Sequence, residues 1–176
     1  SYRAGLELEA GYKITRKLSA TGTFTVSQNK VVAFTEYVDD YDNGGQLAIE
    51  HRNTDLAFSP NVVAGLGILY DPIRNLELGW TAKYVGRQFL DNTSSRARSI
   101  DAYLVNNLSA NYSFENIGNN SIKFIKIGVQ INNLLNHVYE NNGYTFSYIY
   151  GGATTTENFY YPQAGIHLMT RLVIGF

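Results

Sequence analysis

The chain has 176 residues, no cysteine, and 14 basic against 15 acidic side chains, for a net charge of −1. These totals allow one domain with a sizeable core. They exclude a disulfide scaffold, a thiolate metal site and a general electrostatic pull toward nucleic acid or anionic lipid.

The composition is also rich in 14 Tyr, 9 Phe and 16 Gly. Aromatic residues favour pleated, half-buried surfaces, and tyrosine suits a boundary with one dry and one wet side. The first element is "YRAGLELEAGYKIT". Its even positions are Ala4, Leu6, Leu8, Ala10, Tyr12 and Ile14; its odd ones include Arg3, Glu7, Glu9 and Lys13. That alternation predicts a strand with one apolar and one polar face, and a helix has no coherent stripe here. "RK" makes a short turn. A second strand from Leu18 then sets Ala20, Gly22, Phe24 and Val26 against Ser19, Thr21, Thr23, Thr25 and Ser27. The polar stretch "EYVDDYDNGGQLAIEHRNTD" reads as a long loop. "NVVAGLGILY" is the third strand, with Val62, Ala64, Leu66, Ile68 and Tyr70 in phase. "DPIRN" closes it: Pro72 presets φ, and Asp71 can accept from the turn backbone.

The fourth strand carries Leu76, Leu78, Trp80, Ala82 and Tyr84 against Glu77, Gly79, Thr81 and Lys83. The loop "DNTSSRARS" leads to the fifth, with Leu104, Leu108, Ala110, Tyr112 and Phe114 on one face and Asn106 breaking the pattern. "ENIGNNS" is turn material. In the sixth the parity changes, with Ile125, Ile127, Val129 and Ile131 on the apolar side. An irregular stretch is expected from about Asn141 to Gly165. "IHLMTRLVIGF" is the last strand, with Ile166, Leu168, Leu172, Ile174 and Phe176 opposite His167 and Arg171.

The expected fold is therefore all-β, with about seven antiparallel strands and connections that alternate short and long. Porin-type barrels put short turns at the periplasmic rim and long loops outside, which sets the C-terminus at the periplasmic rim. Tyr12, Tyr70, Tyr112, Phe114 and Phe176 lie on the apolar face beside a short turn or the chain end, as an interfacial aromatic girdle does. The expectation is an antiparallel transmembrane β-barrel segment whose apolar face meets outer-membrane lipid. Soluble sandwiches and lipocalin-like barrels alternate in the same way, but bury that face as their core. No apolar run reaches the length of a membrane-spanning helix. Ser1 already stands in patterned sequence, so an internal or C-terminal fragment of a longer polypeptide is expected.

The stretches "FSPNVVAGLGILYDPIRNLELGWTAKYVGRQFLDNT", "DAYLVNNLSANYSF", "VQINNLLNHVYENNGYTFSYIYGG" and "FYYPQAGIHLMTRLVIGF" together resemble the C-terminal barrel segment of TonB-dependent outer-membrane receptors, particularly Bacteroidetes-type ones. An "NNLxNxxYExNGY" stretch near the end, then a long loop and a terminal strand ending in Phe, is similar to that family. Here it comprises Asn132, Asn133, Leu134, Asn136, Tyr139, Glu140, Asn142, Gly143 and Tyr144. The resemblance implies a 22-stranded barrel plugged by a globular domain. Residues 1–176 are then the C-terminal part of its wall, with the plug and TonB box elsewhere. It also implies energised uptake of a scarce solute such as an iron–siderophore complex. The partners are then lipid, the rest of the barrel, the plug, the TonB system and a small-molecule chelate, without nucleic acid. The alternatives are a non-transporting outer-membrane barrel (adhesin or anchor) and a soluble β-sandwich or barrel binding domain.

Substrate contacts are expected from Arg87, Arg96 and Arg98, which could meet an anionic chelate, and from Tyr144, Tyr148 and Tyr150, which could stack on aromatic or sugar groups. Glu7, Glu9, Lys13, Lys83 and Arg171 are expected to face the lumen or plug. "DDYDNGGQLAIE" places Asp39, Gly44 and Glu50 at EF-hand positions one, six and twelve, but Tyr41 occupies the third. His51, His137 and His167 lack metal-ligand spacing. No nucleophile motif or phosphate loop appears. No metal, cofactor or enzymatic activity is expected.

Overall fold

A computed structural model describes residues 1–115 and 122–176. The "ENIGNNS" turn lies outside them from position 116 onward. Among the described residues twelve strands form: β1 (Tyr2–Lys13), β2 (Leu18–Asp40), β3 (Gln46–Asp55), β4 (Val62–Tyr70), β5 (Leu76–Val85), β6 (Gln88–Phe89), β7 (Ser99–Ile100), β8 (Tyr103–Glu115), β9 (Phe124–Asn132), β10 (Glu140–Tyr150), β11 (Ala153–Pro162) and β12 (His167–Gly175). A 3₁₀ turn, Arg96–Arg98, precedes β7. Seven strands build one antiparallel wall in the order β1, β2, β4, β5, β8, β9, β12. They are the seven that the alternation predicts, and the wall curls as part of a barrel.

Residues directly opposite in a ladder point to the same side, so register decides whether the apolar faces join. One row crosses all seven strands: Tyr12, Ala20, Ile68, Trp80, Leu108, Ile131, Leu168. A neighbouring row on the other face reads Lys13, Ser19, Leu69, Gly79, Ser109, Gln130, Met169. One side is a continuous apolar band, and the other is predominantly small and polar. The band is not a core. Leu6, Leu78, Ile127 and Ile174 keep 56%, 37%, 44% and 42% of their surface exposed. A soluble sandwich needs these side chains packed against a second layer. Among the described residues the buried apolar side chains are instead Val38, Val85, Leu90 and Ile100, all at or beyond the long-loop end of the wall.

The short connections at 14–17 and 71–75 lie on one rim. There Asp71 enters its turn through its N–H, which donates to Lys17 O, while Lys17 Nζ donates to Pro72 O at 2.6 Å. Asn75, at φ +67°, supplies the left-handed residue of that turn. β12 ends on the same rim, with Gly175 opposite Phe124.

Two expectations are corrected. The polar stretch before residue 55 is not a loop. β2 continues to Asp40 and pairs with β3, from Lys30 opposite Asp55 to Asp39 opposite Gln46. The irregular stretch after Asn141 is a hairpin, β10 paired with β11. Both extend past the apolar band, where neither face need be apolar. The ladder persists there while the hydrophobic alternation that signals it is lost.

Candidate functional site: a braced loop crown over a polar-face cavity

Three excursions rise from the long-loop rim: the β2–β3 extension, the segment 86–102, and the β10–β11 hairpin. Arg98 ties all three. Its Nη1 donates to Glu36 Oε1 at 2.6 Å and to Asp91 Oδ2 at 2.9 Å, and its Nη2 donates to Ser147 Oγ at 2.7 Å. The other oxygen of Glu36 lies 2.7 Å from His51 Nε2, and the His51 ring stacks on Phe34 at 4.9 Å. Burial works against the Arg98 charge, but Glu36 and Asp91 outweigh it and tighten its hold on the proton. The loop that presents Arg98 folds through its own side chains: Asp91 Oδ1 accepts from the Thr93 N–H at 2.9 Å and the Thr93 hydroxyl at 2.6 Å.

A second tie joins β3 to the same loop. Asp55 pairs with Lys30 at 2.8 Å and accepts from the Ser94 hydroxyl at 3.0 Å. Burial opposes the Asp55 charge, but these partners outweigh it and hold its carboxyl below the ordinary carboxylate range. At the hairpin tips, the Asp42 carboxylate accepts from Gly151 N and Gly152 N at 2.9 and 2.7 Å. Both glycines have positive φ, +66° and +76°, where a Cβ is strained. Tyr148 and Ile149 add a short parallel pairing to Asp39 and Asp40.

The asparagines of the "NNLxN" stretch have structural work. Asn133 is 2% exposed with φ +49°. Its Nδ2 donates to His137 O and Ala164 O, and its Oδ1 accepts from His137 N at 2.9 Å. Asn136 Oδ1 accepts from Ile166 N at 2.9 Å. The two side chains pin together both feet of the β10–β11 excursion.

The expected substrate contacts separate into groups. Arg98 is enclosed in the brace, with its side chain 13% exposed. Arg87 is exposed and paired to Asp101 at 3.0 Å, and Arg96 is exposed in the 3₁₀ turn. Tyr144, Tyr148 and Tyr150 share one face of β10, while Ser147 on the other face meets Arg98. Tyr144 stacks on Phe159 at 4.8 Å, and Phe146 stacks on Phe159 at 6.0 Å. Tyr148 donates to Glu157 at 3.0 Å and meets Tyr41 edge-on. That bond to Glu157 is the main cause that raises the Tyr148 pKa. Tyr150 is exposed at the tip. The result is an open row of aromatic rings. Glu7, Glu9, Lys13, Lys83 and Arg171 share the polar face, opposite Thr25, Thr23, Ser19, Gly65 and Gly128. Tyr12, Tyr70, Tyr112, Phe114 and Phe176 stand at the apolar-face ends beside the short-turn rim, with Tyr112 and Phe114 in edge contact.

Beneath the crown, on the polar face, lies a cavity of about 420 Å³ that sequence reasoning did not find. Its floor is Lys83, Val105, Asn107, Asn132 and His167, from four wall strands; Tyr103, Tyr139, Asn141 and Gln163 line its upper side. Tyr103 and Tyr139 lie 4.5 Å apart, ring to ring. Among these, the alternation places Lys83 and His167 on polar faces. Asn132 and Tyr139 were visible as members of the motif, but their convergence depends on the β9–β12 register, which sets Asn132 opposite His167.

The acidic tip does not gather around a point. Asp40 accepts from Asp42 N and Asn43 N, Asp39 from Gln46, and Glu50 from Thr35. Among the described residues no group of three or more His, Cys, Asp and Glu side chains could hold a metal ion.

A family profile described as TonB dependent receptor-like, beta-barrel matches residues 1–134. Among solved structures, the ferric yersiniabactin uptake receptor FyuA from Yersinia pestis matches with a TM-score of 0.61 at 16% identity, over 99% of this chain and 23% of that one. A mutant of the ferric enterobactin receptor PfeA from Pseudomonas aeruginosa matches with a TM-score of 0.50 at 14% identity, over 96% of this chain and 22% of that one. These are likenesses of fold, and this chain spans less than a quarter of either protein. The chain belongs to the TonB dependent receptor-like, beta-barrel family, whose barrels stand in the outer membrane.

Proposed function

We propose that residues 1–176 are the C-terminal part of the wall of a TonB-dependent receptor that takes up a scarce solute, an iron–siderophore complex being the favoured class. In this reading the wall belongs to a 22-stranded barrel, and its polar face meets a plug through Glu7, Glu9, Lys13 and Arg171. The aromatic set from Tyr12 to Phe176 marks the periplasmic interface, where the chain ends. The energy is supplied through the plug by the inner-membrane TonB system, and we assign the chain no catalytic step.

The observation that carries this reading is the pairing of an exposed apolar band with a polar face that leads up to a cavity under a cross-braced crown. A membrane anchor needs the band; a polar path with a recess at its outer end suits solute passage. Arg87, Arg96, Tyr144, Tyr148 and Tyr150 then form the outer contact surface, and Arg98 holds it in shape. The test is uptake of labelled ferric chelates by cells lacking the gene and by cells carrying it back, with and without a working TonB system. Uptake that needs both the gene and TonB supports the reading. Restoration without TonB, or no gene-dependent uptake of any chelate, refutes it.

A further inference from the structure

We propose that the cavity beneath the crown is a subsite for a carboxylate-bearing solute, held by the Lys83 ammonium and the amide NH₂ groups of Asn132 and Asn141, with its organic body against Tyr139. This rests on the uptake reading and narrows its substrate class. Of the crown cations, Lys30, Arg87 and Arg98 each have an acid within 3.0 Å, while Arg52 and Arg96, outside the cavity, have none among the described residues. Lys83 has no acidic partner among the described residues, and its ladder neighbours Gly65 and Val105 carry no charge. No carboxylate among the described residues lines the cavity.

The amides are turned the same way. Gln130 Nε2 donates to Asn132 Oδ1 at 2.6 Å, and Gln163 Nε2 donates to Asn141 Oδ1 at 2.9 Å. With both oxygens occupied, each asparagine has its NH₂ left to offer. His167 Nδ1 lies 2.9 Å from Gly165 O, a carbonyl that can only accept, so Nδ1 is the donor. A recess with one unneutralised ammonium, several donors and no acid suits an anion and disfavours a cation. A volume of about 420 Å³ falls in the usual range for small-molecule sites. A bare inorganic ion leaves the tyrosine side unused, which points to an organic acid.

The test is calorimetric titration of the full-length receptor in detergent micelles with benzoate, its uncharged analogue benzyl alcohol, and inorganic phosphate. Benzoate is expected to bind at least tenfold more tightly than either of the others. Lys83→Met should weaken benzoate tenfold or more, and Lys83→Arg should stay within threefold of wild type. Heat-modifiable gel mobility checks that both variants fold. Equal affinity for benzoate and benzyl alcohol, an unaffected Lys83→Met, or tighter binding of phosphate overturns the proposal. Absence of benzoate binding with TonB-dependent uptake intact overturns the subsite alone. Benzoate binding that obeys these rules without such uptake supports the subsite and overturns the transport reading.

Discussion

Replacing Arg98 with methionine keeps an unbranched stem and removes the guanidinium. Glu36 and Asp91 then lose their shared cation, and Ser147 loses its donor. Breaking a buried ion pair by removing one partner costs about 3–5 kcal/mol. Here the three charged side chains are 13%, 16% and 26% exposed, so water recovers part of that. Adding the charge-assisted hydrogen bond to Ser147, about 1.5 kcal/mol, leaves a net loss of about 2–4 kcal/mol after that recovery. The loss falls on the crown, because the bonds of Arg98 go to its own loop, the β10–β11 hairpin and the part of β2 beyond the apolar band. At 1.4 kcal/mol per factor of ten, amide protection in Tyr144–Thr156 should fall by about 30- to 700-fold. Hydrogen exchange of the full-length receptor in micelles, followed by mass spectrometry, reads this directly. Wall amides in β8 and β9 should keep their protection. Unchanged exchange in the hairpin, or an equal loss through the wall, refutes the brace.

Val129→Arg puts a cation on the apolar band and should destabilise folding into lipid vesicles by about 2–4 kcal/mol; Gln130→Arg, on the polar face, should cost about 1 kcal/mol or less. Urea titration compares the pair, and equal costs contradict the face assignment. Asn133→Ala removes three side-chain hydrogen bonds and leaves alanine at φ +49°, for a loss of about 3 kcal/mol. Limited proteolysis should then cut between residues 133 and 166 while the wall survives. Asp55 has a depressed carboxyl pKa, so its stabilisation is present above the unfolded value of about 3.9 and is lost as pH falls through the lower folded value. The gap in thermal stability between wild type and Asp55→Asn should therefore narrow below about pH 4, and a constant gap contradicts the Lys30–Asp55–Ser94 tie.

The wall was legible because each of its strands has one lipid-side face, and lipid demands strict alternation. Phe24 and Val26 announce β2; Val32, Glu36 and Asp40 at its far end do not, because that part stands beyond the band. β10 and β11 were hidden for the same reason, although Tyr and Thr are favoured in strands. Asn106 marked a real discontinuity: its backbone oxygen accepts from Leu134 N at 2.7 Å, where the chain leaves the wall for the crown. The Arg98 brace joins residues 36, 91, 98 and 147. No local pattern encodes contacts that far apart. The cavity was missed on the same grounds, since it exists only once four wall strands and the feet of the β10–β11 excursion converge.

The account's central claim is that the apolar band faces acyl chains, and Trp80 sits midway along β5, between Ile68 and Leu108. In full-length receptor whose only tryptophan is Trp80, reconstituted in bilayers, lipids brominated deep in their chains should quench its fluorescence more than shallow ones, and iodide should quench little. Free quenching by iodide with no response to brominated lipid would place the band in water and contradict the account.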